Sequence, residues 1–353
     1  MMNNVYAVDL FCGAGALTKG LEQAGIVVKL GVDIDESCQY PYTANNNSLF
    51  LMKKVEDLEA DELEAAFPKK AIRLLAGCAP CQTFSKYNQK AKPNDSRWWL
   101  LQHFSRLISV IKPEFVTMEN VPGIVNKKIF KYFVNNLKEA QYNISYQVVN
   151  CAEYGVPQRR YRLVLLASLI GKIQLLTPSQ IREQTCTVRD AIGHMPPIKA
   201  GEICKQDPMH QSSSLSPLNM QRIRMSKPGG TWSDWTENLV SNCHNKSTGK
   251  SYRNVYGRMN WDEPAPTITT QFYGFGNGRF GHPEQHRAIS LREGAILQSF
   301  PYDYVFAPKN HPIMKQTIGR LVGNAVPVKL GWVIGKTIIC HVQNMEIESH
   351  IEI

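Results

Sequence analysis

A short apolar run over residues 5–11 leads into two closely spaced glycines, Gly13 and Gly15, and then into helical spacing over residues 16–24 that stops at Gly25. A strand, a tight turn and a helix in that order cannot stand alone. Such a strand is buried on both faces, so it needs parallel neighbours and covering helices. The pattern continues along the chain. Residues 27–32 and 72–76 read as further buried strands, the first ending at Asp33 and Asp35 and the second in a Gly-Cys-Ala-Pro-Cys turn. Residues 98–111 and 129–140 space their apolar side chains as amphipathic helices, with strands predicted at 115–118 and 161–167. This rhythm predicts a doubly wound, Rossmann-like α/β sheet.

A chain of 353 residues exceeds one compact core of roughly 100–200 residues, so a second domain is expected. From residue 179 onward the rhythm fails, Pro and Gly recur, and short polar and aromatic segments replace long helices. The expected organisation is a catalytic domain over 1–178, a smaller, loop-rich, β-containing domain over 179–314, and a C-terminal segment, 315–353, returning to the first. Ser290 and Glu293 have the spacing of a capping box, which predicts a helix over 290–299.

Lys and Arg outnumber Asp and Glu by 40 to 30, a formal charge of +10, so a polyanion is the favoured partner. No run is read as approaching the ~18 apolar residues of a membrane span. The nine cysteines lack framework spacing and suit a reducing compartment. A cytoplasmic, monomeric, nucleic-acid-associated protein with no membrane contact is the expectation.

Three places carry chemistry. The turn Phe11-Cys12-Gly13-Ala14-Gly15 lets backbone amides approach a ligand, with a helix N-terminus behind it that suits a carboxylate. Thr18 occupies the position of the third glycine of a dinucleotide fingerprint, which weighs against a nicotinamide enzyme. Asp33 comes roughly 20 residues later, where an acidic side chain commonly accepts from ribose hydroxyls, and Asp57 with Leu58 is a weaker third contact.

Cys81 lies at the carboxyl end of a buried strand, where open α/β sheets bind ligands. Two other readings compete, a redox or zinc Cys-x-x-Cys formed with Cys78 and inert packing, but no second such pair completes a zinc site. Glu119-Asn120-Val121 ends another strand and can share that pocket. Arg160 and Arg162 alternate onto one face at the mouth of the last strand. His282 and His286 lie four apart, but Pro283 opposes a regular helix and no carboxylates accompany them, so no metal is expected.

The ordered series Phe11 to Gly15, Pro80-Cys81-Gln82, Glu119-Asn120-Val121, Gln158-Arg159-Arg160-Tyr161-Arg162, residues 292–301 (REGAILQSFP) and Gly323-Asn324-Ala325-Val326-Pro327 resembles the bacterial DNA (cytosine-5-)-methyltransferase family. The resemblance covers nearly the whole chain outside 179–290. It implies methyl transfer from S-adenosylmethionine to carbon 5 of a flipped-out cytosine. Cys81 would be the covalent nucleophile, Glu119 the acid engaging the base, and Arg160 and Arg162 the pocket arginines. Phe11, Gly13, Gly15, Asp33 and Asn324 would form the cofactor site, joined by Asp9, Ala14, Ile34, Asp57, Leu58, Pro80, Ala325 and Val326.

Double-stranded DNA would be the partner, with a cognate restriction endonuclease as functional counterpart. The basic stretch 86–97, including Lys86 and Arg97, would contact phosphates, with Gln158 beside the DNA. Arg258 and Arg279 are the expected base readers in the second domain. Departures from the family pattern are Ala16 where glycine is frequent, Asp33 where glutamate is common, and Cys78 where Gly or Phe is usual. A transfer-RNA cytosine-5 methyltransferase and a catalytically idle DNA-binding regulator are the alternatives.

Overall fold

The computed structural model describes residues 4–79, 99–246 and 254–351. These form one seven-stranded sheet of order β3-β2-β1-β4-β5-β7-β6. Its strands are β1 (Val5–Leu10), β2 (Val27–Asp33), β3 (Leu49–Met52), β4 (Ile72–Gly77), β5 (Phe115–Asn120), β6 (Asn143–Asn150) and β7 (Tyr161–Ser168). The first five run parallel, and β7 is antiparallel to both its neighbours. The doubly wound expectation therefore holds.

Sequence order reverses at β1, which pairs with β2 on one side and β4 on the other, and ligands bind at such switch points outside the carboxyl ends of the strands. Register brings those ends level: Leu10 pairs with Val32 and Gly77, and Gly77 with Met118. The glycine turn, Asp33, Cys78 and Glu119, each at or just beyond the end of its strand, thus gather along one edge.

Between the strands lie α1 (Ala16–Gln23), α2 (Gln39–Asn45), α3 (Ala60–Glu64), α4 (Leu100–Ile111) and α5 (Lys128–Glu139). α4 buries Leu101, Phe104, Leu107, Ile108 and Ile111, while α5 buries Ile129, Phe130, Phe133, Val134 and Leu137. Phe104 and Phe133 meet with ring centroids 5.6 Å apart, so the predicted apolar stripes are the core faces. Further along come α6 (Pro178–Ile181), α7 (Val188–Ile192), α8 (Pro217–Met225), α9 (Asn242–Asn245), α10 (Leu291–Leu297), α11 (Lys315–Asn324) and α12 (Val328–Ile351). α12 packs on α1, and the approach is close because glycines line it: a Cβ on Gly20 would collide with the backbone of Val328 and Trp332.

The chain divides into two units: Met1–Tyr154, Tyr161–Glu183 and Val326–Ile353 in the first, Gly155–Arg160 and Gln184–Ala325 in the second. The boundaries differ from those read in the sequence. α11, assigned to a segment returning from residue 315, belongs to the second unit, and the first resumes only at Val326. Among the described residues the second unit's expected β structure is limited to isolated bridges such as Arg258 with Gly281 and Ile203 with Gln211. Residues 315–345 also have the length and hydropathy of a membrane span, which corrects the sequence reading, and 61% of that apolar window is buried inside the protein, as in a core helix.

Candidate active site

The glycine turn takes the backbone shape that its residues permit. Gly13 and Gly15 have φ of +53° and +87°, and Phe11 also adopts the left-handed region at +59°. A Cβ on Gly13 would meet open space rather than protein, so the turn is left uncovered on that side. Gly15 caps α1 without any side-chain hydrogen bond to the helix end, which leaves first-turn amides available to a ligand.

Asp33 Oδ2 accepts from Gly13 N at 2.9 Å and Oδ1 accepts from Asp35 N at 2.9 Å, which ties the end of β2 to the turn. Burial raises the Asp33 carboxyl above the usual range, and each oxygen keeps acceptor capacity for a second donor. Asp9 is fully buried behind the turn; its Oδ2 accepts from Thr18 Oγ1 at 2.8 Å, while Oδ1 has no hydrogen-bond partner. Burial pushes Asp9 up to about 7, opposed by the Thr18 hydrogen bond and aided by Asp33. Thr18, the residue that spoils a dinucleotide fingerprint, thus orients this carboxylate. Ile34 is exposed beyond β2, Asp57 is exposed, and Leu58 is buried with its carbonyl accepting from Arg106.

At the end of β5 the Glu119 side chain is 3% exposed. Cys78 Sγ donates to its Oε2 at 3.0 Å. Arg162 Nε lies 3.0 Å from Oε1, within ion-pair range but outside hydrogen-bond alignment, so Oε1 retains acceptor capacity. A buried carboxylate is costly without compensation, and here one arginine and one thiol provide it. Sequence reasoning does not link Cys78 to Glu119. The signal that could reveal the link is the place of Cys78 one residue beyond β4, beside the strand carrying Glu119. Asn120 Nδ2 donates to Ala79 O at 3.2 Å and secures the same strand end.

Arg160, predicted by alternation to share a face with Arg162, precedes β7 and is buried. Its guanidinium donates to the carbonyls of Ile268, Gly323 and Ala325 at 3.0 to 3.2 Å. Gln158, expected beside DNA, is fully buried: Ile268 N donates to its Oε1, and its Nε2 donates to Leu297 O and Gln298 Oε1. Gln298 in turn donates to Ala325 O at 2.7 Å. Three sequence motifs, contributing Arg160, Gln298 and Ala325, therefore form one network that fixes the turn carrying exposed Asn324. Gly323 is required there, since a Cβ would strike the Thr269 and Thr270 backbone. Val326 is buried at the start of the first unit's last segment.

Arg258, expected as a base reader, is withdrawn from the surface. It is 2% exposed and donates to the carbonyls of Ile223, Ser226, His282 and Gln285 and to His286 Nδ1, which engages all three guanidinium nitrogens. Burial lowers it to about 10. Arg279 holds Gly229 O and Asn254 Oδ1 and is partly exposed. Pro80, Cys81, Lys86 and Arg97 lie outside the described residues.

Residues 5–340 match the model of the C-5 cytosine-specific DNA methylase family. The chain is 49% identical over 334 residues to a Type II methylase, M.HgiDII, of Herpetosiphon aurantiacus, covering 94% of each. It is 29% identical to the Type II methyltransferase M.Sau96I of Staphylococcus aureus, covering 94% of this chain and 75% of that one. Among solved structures, a prophage-encoded E. coli protein described as a DNA modification methyltransferase superposes with a TM-score of 0.74 at 24% identity, over 97% of this chain and all of the other. With a turn, a strand-end glutamate and a fixed Gly-Asn loop in place and a family match over almost its whole length, this chain belongs to the C-5 cytosine-specific DNA methylases.

Proposed function

We propose that the protein transfers a methyl group from S-adenosylmethionine to carbon 5 of a cytosine rotated out of duplex DNA, through a covalent bond from Cys81. The observation that supports this most is Glu119: a buried carboxylate, compensated by Cys78 and Arg162 and open at Oε1, on the strand beside the one that leads to Cys81.

Carbon 5 of cytosine is too electron-poor to accept a methyl group unaided. The Cys81 thiolate adds to carbon 6, and the displaced electron pair moves towards ring nitrogen 3. Glu119 in its acid form donates there as the charge develops, which makes carbon 5 nucleophilic. S-adenosylmethionine supplies the electrophilic methyl on its sulfonium sulfur. After transfer, loss of the carbon 5 proton returns the electron pair and expels Cys81 as thiolate. Rotating the base out of the stack costs about a few kcal/mol, offset by contacts in the pocket.

The first unit suits this cofactor. The uncovered glycine turn and uncapped α1 N-terminus fit its carboxylate, the orphaned Asp9 oxygen is of the sign that suits its cationic end, and Asp33 can accept from ribose hydroxyls. Asp33→Ala should weaken cofactor binding by about 1–3 kcal/mol, because a hydrogen bond to a charged acceptor is lost. Calorimetry without DNA reads this directly, and unchanged affinity would remove Asp33 from the site.

The named relatives are Type II enzymes, and protection of a recognition site against a companion endonuclease is the matching role for this chain. The deciding measurement is methyl incorporation into duplex DNA against transfer RNA, together with bisulfite sequencing. Modified cytosines confined to one short duplex sequence are expected, and incorporation into transfer RNA alone would overturn the assignment.

A further inference from the structure

The second unit holds a pocket of about 550 Å³ whose lining includes Arg189, Arg224, Arg258, Trp261, Glu284 and His286. Its charge is unbalanced. Arg258 at its floor is a buried cation whose partners are four backbone carbonyls and one imidazole, with no carboxylate among them. A charge withdrawn from water without a counter-ion is costly, and dipoles offset that only in part. Arg224, exposed at the end of α8, pairs with no carboxylate among the described residues. Arg189 is occupied by Asp262 at 2.8 Å and lies over Trp261, so it contributes little unpaired charge. Glu284 is the one acid on the lining.

His286 resolves the geometry further. Arginine can only donate, so the 2.6 Å contact from Arg258 requires His286 Nδ1 to accept. A neutral imidazole accepting at Nδ1 carries its proton on Nε2, and the ring edge presents a donor rather than an acceptor. Burial and the charges of Arg258 and Arg224 lower the His286 pKa, in keeping with the neutral ring. The pocket therefore offers a free guanidinium, an N–H donor and a fixed positive charge behind them, the donor set that recognises a phosphate oxygen.

We propose that this pocket holds a backbone phosphate of the substrate duplex, bound by Arg224 and the Nε2–H of His286, with Arg258 as the buried charge that makes it selective for an anion. This rests on the proposed DNA-methyltransferase function. A phosphate contact fixes register on the duplex and carries no base information, so it separates anchoring from site choice within the second unit.

The test is duplex affinity of the full chain against salt, for a duplex carrying the methylated sequence and for a scrambled one. Arg224→Ala should weaken both alike, roughly fivefold at low salt, and reduce the slope of log affinity against log salt by about one. His286→Ala should act in the same direction and Glu284→Gln in the opposite one, and inorganic phosphate should compete less effectively in Arg224→Ala than in the wild type. Unchanged affinity and slope in Arg224→Ala overturn the proposal, as does relaxed preference at a single base pair, which would make Arg224 a reader. A wild type that binds and methylates no duplex would instead refute the underlying enzyme reading, so the two failures are distinguishable.

Discussion

Cys81→Ser is expected to leave no measurable methyl transfer into duplex DNA, with cofactor affinity unchanged within about a few-fold, because in the proposed mechanism the thiolate touches the base and not the cofactor. A serine hydroxyl is far less ionised near neutral pH and a weaker nucleophile, so the adduct that activates carbon 5 does not form. Glu119→Gln should lower turnover by about 10²–10⁴-fold, the usual contribution of a positioned acid. The amide keeps the shape of the side chain but cannot deliver a proton to ring nitrogen 3, and it loses the charge that Arg162 faces at 3.0 Å. Cys78→Ala removes the donor at 3.0 Å to Oε2 and should retain most activity. Single-turnover methylation with saturating cofactor separates these outcomes: a Cys81→Ser enzyme with more than about a tenth of wild-type turnover would exclude covalent catalysis, and a Cys78→Ala enzyme as dead as Cys81→Ser would point to a two-cysteine site.

The largest expected loss of stability comes from an ion pair within the second unit. Arg287 is fully buried and donates to both oxygens of Glu293 at 2.6 and 2.7 Å. Glu293 also accepts from Ser290 N at 2.6 Å and closes the capping box of α10, whose other half is Ser290 Oγ accepting from Glu293 N. Burial alone would raise Glu293, but Arg287 outweighs it and holds the carboxyl down to about 2.

Arg287→Met should destabilise the second unit by about 3–5 kcal/mol, since it strands a buried carboxylate. Pairing it with Glu293→Gln should recover part of that loss by removing the stranded charge. Because the folded pKa lies below the unfolded value, the pair's contribution is complete above about pH 4.5 and disappears as pH falls towards 2. Urea titrations of the single and double variants at neutral pH and at pH 3 test this. A single variant no less stable than the double one would show that the pair adds nothing specific.

Much of the first unit was legible in the sequence because its signals are local. Buried strands alternate with amphipathic helices at spacings that need no distant partner to read, and the glycine turn, Asp33 and Glu119 fall at the ends of strands aligned by parallel pairing. The capping box at Ser290 was visible for the same reason: both halves lie within one helical turn. Strand β6 and the short β3 were missed: β6 mixes polar and apolar residues along a sheet edge, with Tyr146 and Val148 exposed, and the apolar run of β3, Leu49–Met52, is only four residues long.

The fates of the polar residues were decided by tertiary structure alone. Gln158 and Arg258 read as DNA-contacting side chains and Arg160 as a pocket arginine, yet each is buried and donates to backbone carbonyls, some of them more than a hundred residues away along the chain. A carbonyl acceptor has no sequence signature, because every residue carries one. Which of them come to face a guanidinium depends on how loops without regular structure close around it. The sequence therefore determined what chemistry the chain can perform, and the folded packing determined which of its charges remain free to touch a substrate and which hold the loops that do.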